Sequence, residues 1–230
     1  MRCCFLVVAA FCCFLPEVWG QDVLKSGPQP GTPDEPTFIP GSFQAWMVTG
    51  KHAGAFHSPI VEFGLSPVCL IFVKEVKLDP PLVELLQKID KLAAKYPDAR
   101  FRCCVLFLQD GGFRDFIDKT TERDVDVSEE LADASRLKDE LEKKTREIAK
   151  SAGLQQVVFG LAEPKKLTAY QLNDKASVTL LLYNKQRLLA NYAFGGEFPK
   201  EAADKIGPEI EALVLEVDRL SRPQKRKKTR

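Results

Sequence analysis

The uninterrupted apolar run Val68-Cys69-Leu70-Ile71-Phe72-Val73 constrains this chain more than any other feature in it. Its length, its β-branched and aromatic content, and its boundaries at Pro67 and the charged Lys74-Glu75 predict a strand buried on both faces. Such strands sit inside sheets covered by helices. A helix should follow at once. Asp79 stands at a capping position, and Pro80 and Pro81 fill a first turn whose N–H groups have no intrahelical partners. Leu82, Leu85, Leu86, Ile89, Leu92, Ala93 and Tyr96 then recur at helical spacing, with Lys88, Lys91 and Lys95 on the other side and Pro97 closing the helix.

The alternation continues. Phe101 to Leu108 predicts a second buried strand, ended by the turn residues Asp110-Gly111-Gly112. After a polar connection, Ser128 with Glu129 and Glu130 opens a helix carrying Leu131, Ala134, Leu137, Leu141, Ile148 and Ala152 on one stripe, and Gly153 stops it. Leu154 to Leu161 is a third strand, and Lys165 to Leu172 a short connecting segment. Val178–Tyr183 and Arg187–Phe194, separated by Asn184-Lys185-Gln186, are close enough to form an antiparallel hairpin. A final helical pattern runs from Ala202 to Leu220, with a break expected at Gly207-Pro208. This order predicts an α/β fold: a mixed, mostly parallel sheet with helices on both faces and a C-terminal hairpin plus helix.

The two ends read differently. Arg2, the apolar run from Cys3 to Leu15, Pro16 and the pattern Val18-Trp19-Gly20 before Gln21 have the layout of an export signal over residues 1–20. A spanning helix needs about 20 apolar residues, more than this run supplies, and retention as an uncleaved anchor is the competing reading. Phe11 and Cys12 put bulk where small residues should precede a lipid-modified cysteine, so lipidation is not expected at Cys12 or Cys13. Residues 21–41 hold Pro28, Pro30, Pro33, Pro36 and Pro40 with no apolar periodicity, and read as a semi-extended Pro/Gly-rich linker. Residues 222–230 carry six basic side chains and no apolar anchor, the composition of a disordered tail. Residues 42–221 remain as one domain, large enough for a single core.

The stretch Pro67 to Val73 with the helix behind it, and Val178-Thr179-Leu180-Leu181-Leu182-Tyr183-Asn184-Lys185-Gln186, resemble thioredoxin-like domains. More narrowly, Val48-Thr49-Gly50, Phe63-Gly64, Pro67-Val68 and Tyr183-Asn184-Lys185 resemble a group of exported thioredoxin-like proteins from planctomycete-type bacteria. The resemblance implies a thioredoxin-like fold over about residues 43–220. It also implies where redox residues would stand: a Cys-x-x-Cys pair near Lys77 and Pro80, a cis-proline near Val178, and, in the exported group, a second pair near Ser58 and Val61. None of those residues is present.

Other chemistry is sparse. Of the seven cysteines, four fall within the export signal; Cys69, Cys103 and Cys104 remain, all in strand-like runs, where cysteine behaves as a small hydrophobe. Adjacent Cys103 and Cys104 should point to opposite faces of the sheet, while Cys69 could approach one of them. His52 and His57 are the two histidines, both within Lys51 to Ser58. With Glu62 they could share a metal, but no cysteine or third histidine completes a set, so a polar surface loop is expected. Asp139, Glu140, Glu142 and Glu147 alternate with Lys138, Lys143, Lys144 and Arg146, which reads as a solvated, self-neutralising helix face. No phosphate loop, nucleophile elbow or Cys/His metal framework occurs.

These readings lead to three functional expectations. The first is an exported thioredoxin-like domain without the redox pair, periplasmic or extracellular, non-enzymatic, binding an unidentified protein partner or serving as a structural module. It has no catalytic, cofactor-binding or metal residue. The second is a thiol-dependent redox protein using Cys69, Cys103 or Cys104, although apolar strand interiors oppose thiolate formation. The third is an envelope-associated protein held to an anionic surface by its basic tail. The formal net charge of +1 confines that effect to the tail, and no specific nucleic-acid partner is expected.

Overall fold

The apolar run becomes the centre of a sheet. In the computed structural model, which describes residues 24–110 and 128–222, Val68–Val73 forms β3, with no side chain more than 4% exposed. Before it come β1 (Ala45–Met47), β2 (Ala55–His57) and the short helix α1 (Pro59–Phe63). After it come α2 (Pro80–Lys95), β4 (Arg102–Leu108), α3 (Ser128–Ser151), β5 (Val157–Ala162), β6 (Val178–Asn184), β7 (Arg187–Phe194) and α4 (Lys200–Ser221). Short 3-10 segments span Pro97–Ala99 and Pro164–Tyr170. The strand order is β2-β1-β5-β4-β3-β6-β7. The readings of residues 1–20 and, beyond Arg222, of the basic tail fall outside the described residues. No helix among the described residues is long and apolar enough to cross a membrane.

The fold is α/β and thioredoxin-like: a βαβ unit around β3, then an antiparallel hairpin on its other side and a closing helix. Parallel pairing, however, is confined to β3, β4 and β5; the other four strand pairings are antiparallel. The hairpins β1–β2 and β6–β7 each bring a strand back beside its neighbour, which only antiparallel pairing allows with so short a connection.

Helices do stand on both faces, but unequally. Cys69, Ile71, Val105, Phe107 and Phe159 face the three long helices, through side chains such as Leu85, Ala149 and Ile210. Leu70, Phe72, Cys104 and Leu106 face α1 and the 3-10 segment, through Ile60, Phe63, Leu167 and Tyr170. The strands β3, β4 and β5 step the same way along the sheet, and α2 and α3 pack on the same side of it, as the right-handed crossover rule requires.

Three local features differ from the sequence reading. The stretch read as a linker is extended, but from Ser26 onward it is bound to the sheet. Ser26 and Ile39 are buried; the Ser26 and Thr179 hydroxyls are 2.6 Å apart, and the Ile39 N–H donates to the Gln186 carbonyl at 2.8 Å. Secondly, α4 runs through Gly207-Pro208 unbroken, because Pro208 removes a single helical donor while Gly207 stays buried against α2. Thirdly, the face of α3 is not wholly solvated. The Trp46 indole N–H donates to Glu142 at 2.8 Å, Arg146 donates to the same carboxylate at 2.6 Å, and the Lys138 ammonium lies 4.3 Å from the Trp46 ring centroid. That cluster fastens α3 to β1.

The hairpin turn is made by Lys185 and Gln186, at φ 52° and 63°. Left-handed backbone at both positions matches the right-handed twist of the flanking strands.

One carboxylate stitches the first crossover to the second. Asp90, on α2, accepts backbone N–H groups from Gln155, Gln156 and Val157 at 2.9, 2.6 and 3.0 Å, while the Gln87 amide donates to the Ala152 carbonyl at 3.0 Å. Asp90→Ala should therefore lower stability by about 1–3 kcal/mol, seen as a lower urea midpoint at unchanged slope. Asp90→Asn, which keeps an acceptor oxygen, should recover part of the loss; equal midpoints for all three proteins would remove this stitch from the account.

Candidate functional site

Two places could carry function: the start of α2, where a thioredoxin-like fold keeps its reactive pair, and the corner formed by the β1–β2 hairpin and α1.

At the start of α2, Lys77 and Pro80 are exposed, and the Lys77 ammonium lies 3.8 Å from the Asp79 carboxylate. Asp79 is the N-cap residue but does not cap its own helix. Its side chain accepts the backbone N–H of Phe198 at 2.9 Å, holding the approach to α4. Val178, in the place of the missing cis-proline, is buried and opens β6 between Val73 and Phe194. Beside these positions the ends of β3 and β4 border a cleft of about 960 Å³, whose lining includes Lys74, Gln109, Leu167, Asn173 and Asp174. No thiol or imidazole lines it among the described residues; its carboxylates are those of Glu75, Asp110 and Asp174.

The cysteines lie deeper. Cys69 and Cys103 sit side by side on β3 and β4, facing the long helices, and Cys104 faces the other way, as strand alternation requires. All three are free thiols, at most 1% exposed. Burial pushes the Cys103 thiol well above its ordinary range, with the Cys69 thiol hydrogen-bonded beside it adding to the shift. Burial likewise raises Cys104, reinforced by the Glu62 carboxylate. These are thiols held protonated, the reverse of an activated nucleophile.

At the hairpin corner the structure brings together what the sequence left as a loop. Gly50 and Gly54, at φ +85° and +82°, bend the chain after β1, and a side chain at Gly50 would press on Val158 at 3.1 Å. The Gly54 N–H donates to the Met47 carbonyl at 2.8 Å. β2 then returns beside β1, with the Phe56 ring edge-on to Trp46 at 5.2 Å. His57 ends β2, Ser58 caps α1 through its Val61 N–H, and Glu62 lies on α1. The His52 and His57 rings stack with centroids 3.6 Å apart and planes 18° apart. His57 Nε2 lies 3.8 Å from the Glu62 carboxylate, and one donor atom from each of His52, His57 and Glu62 falls within 4.8 Å of the others. His57 Nε2 is shielded from solvent and has no hydrogen-bond partner. The sequence named these three residues but not their convergence. The usable signal was the glycine on either side of His52 followed by a serine cap just after His57.

No family model matches the chain, and no curated protein does. Among solved structures, it is similar to a candidate protein disulfide isomerase from Bacteroides thetaiotaomicron at 15% identity, covering 84% of this chain and 92% of that one, with a TM-score of 0.47. A DsbF homologue from Corynebacterium diphtheriae matches at 11% identity over 80% of this chain and 93% of its own, TM-score 0.47. Copper-bound ScoI from Arabidopsis thaliana matches at 10% identity over 76% and 98%, TM-score 0.44. Likeness at this distance carries no chemistry to the present chain.

The raised groups give a pH dependence. Cys103 and Cys104, and by burial also Tyr170 and Tyr183, hold their protons in the native state at pH values where the unfolded chain releases them. The native state then binds more protons than the unfolded state, so stability is full below the ordinary thiol value of 9.0 and falls as pH rises through it and through the tyrosine value of 10.0. Chemical denaturation across that range should show a steady loss. Cys104→Val should flatten the part that begins at the thiol value, and a curve level to the tyrosine value would contradict the assignment.

Proposed function

We propose that this is an exported, non-enzymatic thioredoxin-like domain that works by binding, with no dithiol chemistry of its own. The observation that carries the reading is the state of the position from which such chemistry would run: Lys77 and Pro80 stand there without a thiol, and Asp79 is committed to holding Phe198. The thiol-dependent alternative would have to recruit Cys69, Cys103 or Cys104, and each is sealed in the sheet and, for Cys103 and Cys104, driven toward the protonated form. The partner is a protein, and the cleft beside Lys74 and Asp174 offers it a surface of mixed charge at the carboxyl ends of the parallel strands, where α/β sheets take ligands. Export rests on residues 1–20, and attraction to an anionic surface on the basic residues of 222–230.

The test is dithiothreitol-driven reduction of insulin. The unmodified protein should stay at the uncatalysed rate, whereas Lys77→Cys with Pro80→Cys should form a disulfide on oxidation, because only Leu78 and Asp79 separate the two positions and Pro80 opens α2, whose N-terminus favours a thiolate. Robust reduction by the unmodified protein, lost in Cys103→Ser or Cys104→Ser, would overturn the reading.

A further inference from the structure

We propose that His52, His57 and Glu62 form a binding site for a divalent transition ion of the zinc class, held by two imidazole nitrogens and one carboxylate oxygen with a position left for water. This goes beyond the binding function argued above and does not rest on it.

Three observations converge. The first is composition of the donor set: imidazole nitrogen with carboxylate oxygen suits zinc and its neighbours and is poor for magnesium or calcium, which take oxygen alone. The second is placement. The donors come from three separate pieces of backbone: a glycine-bracketed turn, the end of β2 and α1 behind a serine cap. Each piece is fixed by its own contacts, yet the donor atoms meet within 4.8 Å. Zinc–ligand bonds of about 2.0–2.1 Å place neighbouring donors of a tetrahedral site roughly 3.3 Å apart. The donor atoms therefore stand at most about 1.5 Å beyond that spacing.

The third observation is an unmet need. His57 Nε2 is cut off from solvent and has no partner, and the Glu62 oxygen at 3.8 Å is beyond hydrogen-bond reach. Buried polar atoms are ordinarily satisfied. A cation between the imidazole and the carboxylate satisfies both at once, and no lysine or arginine among the described residues forms an ion pair with Glu62 that would compete for it.

The chain's having two histidines makes the test sharp. The full-length protein, with Cys3, Cys4, Cys12 and Cys13 changed to serine so that those thiols do not compete, is stripped with a chelator and titrated with zinc chloride by calorimetry. One ion per chain should bind with a dissociation constant in the micromolar range, both sets of imidazole proton resonances should shift together, and cobalt(II) should give the visible absorption of a four-coordinate site. Magnesium chloride should give no heat. His57→Ala and Glu62→Gln should each weaken zinc by at least about tenfold, a loss of some 1.4 kcal/mol. His52→Ala, in the turn, provides a third variant that leaves the sheet untouched should His57→Ala fail to fold. Saturation only above about 1 mM, equal affinity in His52→Ala or Glu62→Gln, or movement of a single imidazole set would overturn the proposal and leave His57 Nε2 as the site of a bound water.

Discussion

Everything in this molecule is arranged around a strand that has no exposed side. β3 gives hydrogen bonds to β4 on one edge and β6 on the other, and its side chains are covered on both faces. Because an unpaired backbone group or a bare apolar face there would cost several kcal/mol, the chain must supply two flanking strands and two covering layers. The layers are unlike. One is built of α2, α3 and α4. The other is assembled from pieces: α1, a 3-10 segment, and a proline-rich strand of chain that contributes Ile39 and Phe43 at intervals. Tyr170 binds the pieces together, donating to the Gly41 carbonyl at 2.7 Å while its ring meets Phe43 edge-on at 5.2 Å.

What was legible in the sequence followed the length of the apolar runs. β3, β4, β5, the β6–β7 hairpin and α2 announce themselves because each repeats its pattern over a full element, and the opposed directions of Cys103 and Cys104 follow from strand alternation alone. β1 and β2 were missed because three residues are too few to show a period, and because Trp46 packs against Phe56 and Lys138, contacts that no pattern encodes. The segment before residue 42 misled for a related reason. Its composition is that of a spacer, and its attachment rests on scattered bonds, many to its backbone at Ser26, Gly27, Pro28, Thr37 and Ile39, which no side-chain pattern registers. The charged face of α3 was read as uniformly solvated, since the role of Glu142 depends on Trp46, far away in the chain.

The two candidate places differ in the same way. The start of α2 could be assessed from sequence because its chemistry is a matter of residue identity: cysteine is there or it is not. The corner of His52, His57 and Glu62 is a matter of geometry. Each donor stands five positions after the last, a spacing that fits neither a strand face nor a helix face, and the positive φ angles at Gly50 and Gly54 with the Ser58 cap make it converge. The polar loop expected there is in fact a hairpin with a strand of its own.

The pairing of β3 also sets an order on how the chain is made. Val68 to Val73 can meet β4 soon after both are synthesised, but its other edge belongs to β6, where Val73 waits for Val178. Until then the most apolar strand in the protein carries a row of unpaired donors and acceptors, the surface on which nascent chains join one another. Contacts so distant in sequence also close slowly. The partly made polypeptide is therefore most exposed to mispairing along its central strand, and the C-terminal hairpin is the element that ends that exposure.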